Sequence, residues 1–301
     1  MKSDNRFIVF AIAFCWGLVA LTGIYPGVGR CADAQDSEAE ETRKFAEQGS
    51  AAAQFQLAGM YLTGQGISRD YKEAVKWYLK SAEQGYAEAQ NSLGWMYANG
   101  QGVPQDYEQA LKWFLKSAGQ NNANAQFSLG VIHVKGQGVA QDSGEAMKWY
   151  LKSAEQGNAH AQFFLGQMYA AGEGVPQDFK EAMKWYLKSA EQGNAFAQFN
   201  LGSIYSEGWG VSQNHKKAIQ WYLKSAEQNN ANAQFNLAVL HAKGQGVPRN
   251  DAVAYMWANL AAAQGNDSAR KLREEFLRHL SPEQLTEGEK LTREWIEKNF
   301  G

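Results

Sequence analysis

The pair Ala-Gln recurs at Ala53-Gln54, Ala89-Gln90, Ala125-Gln126, Ala161-Gln162, Ala197-Gln198 and Ala233-Gln234, thirty-six residues apart every time. A chain that repeats itself at such a period is built from one supersecondary unit that cannot bury its apolar face alone. Neighbouring units must stack and share a core. Counted from Gly49, six copies run without a gap: 49–84, 85–120, 121–156, 157–192, 193–228 and 229–264. A seventh starts at Gly265, keeps Ala269 and then departs from the pattern.

Each copy reads as two helices. The first starts at a residue able to cap free backbone amides (Ser50, Asn122, Asn158, Asn194, Asn230), with Tyr86 as the exception. In the fourth copy Ala161, Leu165, Met168 and Tyr169 then fall on one face at helical spacing. That helix stops at a glycine in every copy, Gly64 through Gly244, and a second glycine two residues on suits a sharp reversal. The second helix starts at Asp70, Asp106, Asp142, Asp178, Asn214 or Asn250. Three residues later Glu73, Gln109, Glu145 and Glu181 are placed to complete a reciprocal capping box. The helix ends at Gly or Asn throughout: Gly85, Asn121, Gly157, Gly193, Asn229, Gly265.

The expected seam is small against large. Ala74, Ala110, Ala146, Ala182, Ala218 and Ala254 let a neighbour approach, and Trp77, Trp113, Trp149, Trp185, Trp221 and Trp257 supply bulk three residues later. A buried tryptophan removes on the order of 200 Å² from water, about 5 kcal/mol before entropy.

Both ends of the array carry closing segments. Residues 35–48 are expected to form an N-terminal capping helix, a half-copy of the second helix ending at Gly49. Residues 265–301 are expected to form a C-terminal helical cap. There Ser281-Pro282-Glu283-Gln284 starts a helix, and Leu272, Phe276, Leu285, Leu291 and Trp295 make its apolar face. Ahead of all this, Lys2 and Arg6 precede an apolar run from Phe7 to Ile24, and Ala32-Asp33-Ala34 offers small residues for cleavage. Residues 1–34 therefore read as a signal peptide, with retention as an inner-membrane anchor as the alternative. Cleavage after Ala34 removes both cysteines, Cys15 and Cys31, so the exported chain is expected to be held by packing rather than disulfides. The expected location is periplasmic or secreted.

The motifs Ala-x-Ala-Gln-Phe-x-Leu-Gly, Gly-x-Gly-Val-x-x-Asp and Ala-x-x-Trp-Tyr-x-Lys-x-Ala-Glu-Gln-Gly, nearly complete from Ala159 to Gly193, resemble the Sel-1-like repeat, a relative of the tetratricopeptide repeat. The resemblance covers about residues 38–264. The altered sixth copy, Tyr255 to Leu260, is similar to the closing repeat of many bacterial members. What it implies is an all-α, right-handed solenoid of antiparallel helix pairs that acts as scaffold or adaptor for a protein or peptide. The first helices would line the concave side.

Four first-helix positions differ most between copies and share one face, at spacings of four, three and four. Trp95 and Asn99 lie on this stripe, followed by Ser128, then His160, Phe164 and Gln167, then Phe196 and Asn200, then Asn236. Trp209 replaces the Gln or Glu found between the loop glycines elsewhere. These ten are the candidate partner-binding residues. Aromatic anchors among Asn, Gln and Ser suit a peptide groove. The other reading has the rings filling gaps between copies.

Other chemistry has little support. A net charge of -2 with no basic block argues against nucleic acid. His133 and His241 take the place of Tyr61, Tyr97, Tyr169 and Tyr205 and are three copies apart, so neither metal nor other cofactor is expected. Cysteine-rich members of the family are linked to β-lactams, which makes an envelope enzyme or cell-wall-ligand receptor the alternative function. Yet Ser268-x-x-Lys271 has neither companion motif of a serine β-lactamase, and the disulfide pattern is missing. No enzyme is expected, and membrane contact only through a retained N-terminal segment.

Overall fold

The structure, a computed structural model, describes residues 32–300, with side chains from residue 38. The basic residues and apolar run of the expected signal peptide lie outside these residues. Fifteen helices and no strand occur among them. α1 (Ala32–Glu47) is followed by six pairs: α2 (Ala51–Thr63) with α3 (Tyr71–Glu83), α4 (Ala87–Asn99) with α5 (Tyr107–Gly119), α6 (Ala123–Lys135) with α7 (Ser143–Glu155), α8 (Ala159–Ala171) with α9 (Phe179–Glu191), α10 (Ala195–Glu207) with α11 (His215–Glu227), and α12 (Ala231–Lys243) with α13 (Asp251–Ala263). α14 (Asp267–His279) and α15 (Pro282–Phe300) close the chain. This is the all-helical repeat fold that the sequence period requires.

Two compact units divide the chain. The first reaches residue 132 and takes back 136–140, and the second holds 133–135 and everything from 141 on. Within each, a helix packs on its partner and on the pair that follows: α2 on α3 and α3 on α4 in the first, α8 on α9 and α9 on α10 in the second.

The helix ends follow the capping residues. Ser50, Asn122, Asn158, Asn194 and Asn230 accept the amide hydrogens of first turns, whereas Tyr86 caps nothing. Asn121 and Asn229 take φ near +65° and +63°, the left-handed geometry that Gly adopts at the equivalent ends. The second loop glycine does more than turn the chain. A Cβ on Gly102 would sit 2.2 Å from the Tyr71 carbonyl, and one on Gly174 would sit 2.8 Å from that of Ser143. Each such glycine lets its loop lie on the helix start of the previous copy.

The reciprocal capping box expected at the second helices is not made. Asp70 accepts from the Glu73 amide, but its own N–H is donated to the Tyr61 carbonyl at 2.9 Å. The same bond joins Asp106 to Tyr97 in the first unit, and Asp142 to His133 and Asp178 to Tyr169 in the second. With that donor taken by the first helix, the glutamates turn outward: Glu73 pairs with Lys76, Glu145 with Lys148 and Glu181 with Lys184. The box at Ser281 and Gln284 does form, both bonds included.

The aromatic seam also needs correction. Trp113 and Trp257 are buried, but Trp77, Trp149, Trp185 and Trp221 are half-buried. The fully enclosed rings are those one residue later: Tyr78, Phe114, Tyr150, Tyr186 and Tyr222. Phe114, Tyr186 and Tyr222 fit because the facing first helix carries Gly94, Gly166 or Gly202, where a Cβ would come within 2.8, 2.5 and 2.5 Å of the ring. In the first five copies a lysine three residues on covers the tryptophan. Lys80, Lys116, Lys152, Lys188 and Lys224 put Nζ within 4.0–4.4 Å of the ring centre. In the last copy Leu260 replaces the lysine, and Trp257 meets Trp295 of α15 edge to face at 4.6 Å.

A buried polar ladder backs the seam. Gln90 donates Nε2 to the Ala82 carbonyl, closing the joint between successive copies, while its Oε1 accepts from Gln120. In the second unit Gln162 binds Ala154 and Gln192 in the same way, and Gln198 binds Ala190 and Gln228. Ser81, Ser117, Ser189 and Ser225 each donate to an alanine carbonyl thirty residues back, at 2.7 Å. The half-copy α1 joins the scheme: Gln54 donates to the Ala46 carbonyl at 3.1 Å. At the other end Leu272, Leu285, Leu291 and Trp295 pack on the cluster holding Phe276 and Trp257.

Candidate functional site

The stripe residues divide between the two units. In the first, Trp95 is half-buried and packs on the cluster of Tyr78, Leu93 and Met96. Asn99 donates Nδ2 to the Trp95 carbonyl at 2.8 Å, and Ser128 donates to the Asn124 carbonyl at 2.9 Å. Both polar groups are thus turned back onto their own helices, a common habit of short polar side chains.

The second unit gathers more. Phe164 stacks on Tyr150 at 5.4 Å with 13° between ring planes, and lies edge-on to the buried Phe163 at 5.3 Å. Phe196 rests on the other side of Phe163, 6.0 Å away, and stays 45% exposed. Half-buried His160 belongs to the same helix, and burial lowers the pKa of its imidazole. Gln167 and Asn200 are half-buried farther along the face. Trp209 makes a separate contact: it stacks over Phe179 at 5.3 Å and is 40% exposed. The two readings of the rings therefore apply to different rings. Trp95 and Phe164 fill space between helices, and Phe196 and Trp209 are anchored from beneath while offering a face to solvent.

Asn236 lies apart from the rings. It reaches the Tyr222 hydroxyl, which donates in turn to Ser203 at 3.2 Å. Burial raises the Tyr222 pKa, so the phenol stays protonated as a donor. Tyr222 and Asn236 line a cavity of about 260 Å³ together with Ser206, Glu207, His215 and Lys243. Of these, only Asn236 was among the sequence candidates. The signal was present in the comparison of copies, because Ser206 stands where Leu62, Ala98, Val134, Ala170 and Ala242 are aliphatic.

The Sel1 repeat model matches residues 51–86, 87–122, 123–158, 159–194, 195–230 and 231–266, most of the chain in six contiguous copies. The chain belongs to the Sel1 repeat family. Its frame starts two residues after the one counted from Gly49. Among solved structures this Sel1 repeat chain is similar to c5321, a protective antigen of uropathogenic Escherichia coli strains displaying an SLR fold. The two share 37% identity over 88% of this chain, with a TM-score of 0.74, and the match spans 56% of that longer chain. A Sel1 repeat protein from Oxalobacter formigenes is 34% identical over 76% of this chain and 99% of its own, with a TM-score of 0.68. No curated protein matches. Sel1 repeat proteins are generally protein-interaction scaffolds and typically non-catalytic.

Proposed function

We propose that this Sel1 repeat protein is an exported scaffold whose first-helix face holds a protein or peptide partner. The observation that carries the reading is Phe196: a large apolar ring, nearly half exposed, seated on Phe163 and sharing its helix face with Asn200 and Ser203. An exposed ring fixed from below gives contact area with little ordering cost, the property of an interface anchor. Trp209 on its Phe179 platform is a second anchor of the same kind. Export rests on the sequence: basic residues, an apolar run, then Ala32-Asp33-Ala34. N-terminal sequencing of the protein from a cell fraction tests that half. A photo-crosslinking residue at 196 in intact cells, with Phe196→Ala as control in affinity capture, tests the other. Capture of one partner that is lost in Phe196→Ala supports the scaffold. Equal capture by both proteins overturns this face as the contact.

A further inference from the structure

The cavity between the ends of α10 and α12 gathers polar and charged side chains. Its floor holds Ser206 and Tyr222, both buried, and Asn236 stands on the wall. Ser206 is polar where five other copies are aliphatic, and His215 stands where copies one, two and four have Tyr71, Tyr107 and Phe179. Nδ1 of His215 is buried and has no hydrogen-bond partner. The rim carries Glu207 and Lys243, each the last residue of its helix. A carboxylate at a helix C-terminus faces the negative end of the dipole, an unfavourable place for it. Glu207 accepts only a long bond from Ser206, 3.4 Å, and it forms no salt bridge with Lys243 although both line one cavity.

The position of Ser206 is aliphatic in every other copy, whereas the position shared by Glu207 and Lys243 changes from copy to copy. Here Ser206 and His215 meet Glu207 and Lys243, two occupants of the variable stripe position, on one space in the second unit. We infer that this cavity is a binding site for a zwitterionic amino-acid unit, its ammonium on Glu207 and its carboxylate on Lys243. An acid and a base held apart across a gap are each left with a charge that a ligand carrying both can meet at once. The volume of about 260 Å³ lies below the roughly 300–1,000 Å³ of pockets that take drug-sized molecules, and suits one amino acid. The hydroxyl and amide groups of the floor select a small polar side chain over an apolar one, because burying those groups against hydrocarbon leaves them unpaired. The inference rests on the proposed partner-binding face and assigns one part of it a ligand.

Titration calorimetry on the full exported chain tests it. The probes are L-serine, L-glutamine and L-leucine, N-acetyl-L-glutamine, L-glutamine amide, and the tripeptide Asp-Gly-Gly amide, which carries the same two charges at a peptide N-terminus. Serine or glutamine is expected to bind at least tenfold better than leucine and than either blocked form. Glu207→Gln and Lys243→Met should each weaken binding at least tenfold while leaving the melting temperature unchanged. Binding of the tripeptide but no free amino acid supports the site and names a peptide end as its source. No heat from any probe, or affinities that both substitutions leave intact, overturns the inference. Capture through Phe196 is read in a separate experiment, so either idea can fail alone.

Discussion

Gln192 donates Nε2 to Oε1 of Gln162 at 2.8 Å, and Gln162, only 4% exposed, passes its own Nε2 to the Ala154 carbonyl at 3.1 Å. The two glutamines differ in what their loss leaves behind. Gln162→Leu removes two hydrogen bonds, leaving the Ala154 carbonyl only backbone N–H partners, Gly157 among them, and should cost about 2 kcal/mol. Gln192→Leu removes an exposed donor and should cost about 1 kcal/mol or less. Urea denaturation of both variants checks the order. Equal losses would mean the ladder contributes nothing that burial of the side chain does not.

The contact of Gly166 with Tyr186 has a natural counterpart within the chain. In the last copy the glycine is Ala238 and the facing ring is replaced by Ala258. Gly166→Ala would place a methyl 2.5 Å from the Tyr186 ring and should cost about 1–3 kcal/mol. Joined to Tyr186→Ala, the same methyl should become harmless, giving a coupling of about 1 kcal/mol or more in a double-mutant cycle. Strict additivity would show that the two side chains do not oppose each other.

Acid should weaken the fold in a defined window. Burial lowers the pKa of His241 and of His160, and Nδ1 of His241 is enclosed without a partner. The folded chain therefore takes up these protons at lower pH than the unfolded chain. As pH falls below about 6.5, the unfolded state binds more protons and stability drops, levelling once the folded imidazoles also titrate. Glu145 and Glu283 have lowered pKa values and act only at more acid pH. The melting temperature should thus fall between pH 7.5 and 5.5. His241→Tyr with His160→Asn, which install residues found at those positions in other copies, should flatten the profile.

The two kinds of tryptophan should answer truncation differently. Trp257, 2% exposed against Trp295, should cost about 3–5 kcal/mol as Trp257→Ala. Trp149, half-buried beneath Lys152, should cost about 2 kcal/mol or less. Chemical denaturation of both variants measures the difference.

Most of the fold was legible because helix boundaries depend on local chemistry. A cap at Asn158 or a left-handed Asn121 needs only its neighbours in sequence. What was not legible depends on the neighbouring helix. Gln162 reads as a surface residue by polarity, and its burial follows from a carbonyl eight residues back and an amide thirty ahead. Its identity in all six copies was the available clue, since a solvated glutamine has no reason to stay constant. Trp149 was expected inside because it is the largest apolar side chain. Tyr150 is buried in its place, and Lys152 shields the indole. The stripe residues lie on the first helices of their copies. Which of their rings are fillers could not be read from spacing, because it is a ring of a second helix, Tyr150, that covers Phe164 while Phe196 stays exposed.

The glutamine ladder has ends of unequal kind. Gln54 finds its carbonyl in α1, so the first copy is joined as if another preceded it. After the sixth copy the matching position is Arg270, which pairs outward with Asp267, and the carbonyl of Ala262 accepts the Gly265 N–H but no glutamine side chain. A spliced-in module of thirty-six residues would find donor and acceptor waiting at any joint inside either unit, and none past Gly265. The molecule can thus be lengthened from within, in whole modules, while its final helices act as a stop that further modules cannot extend.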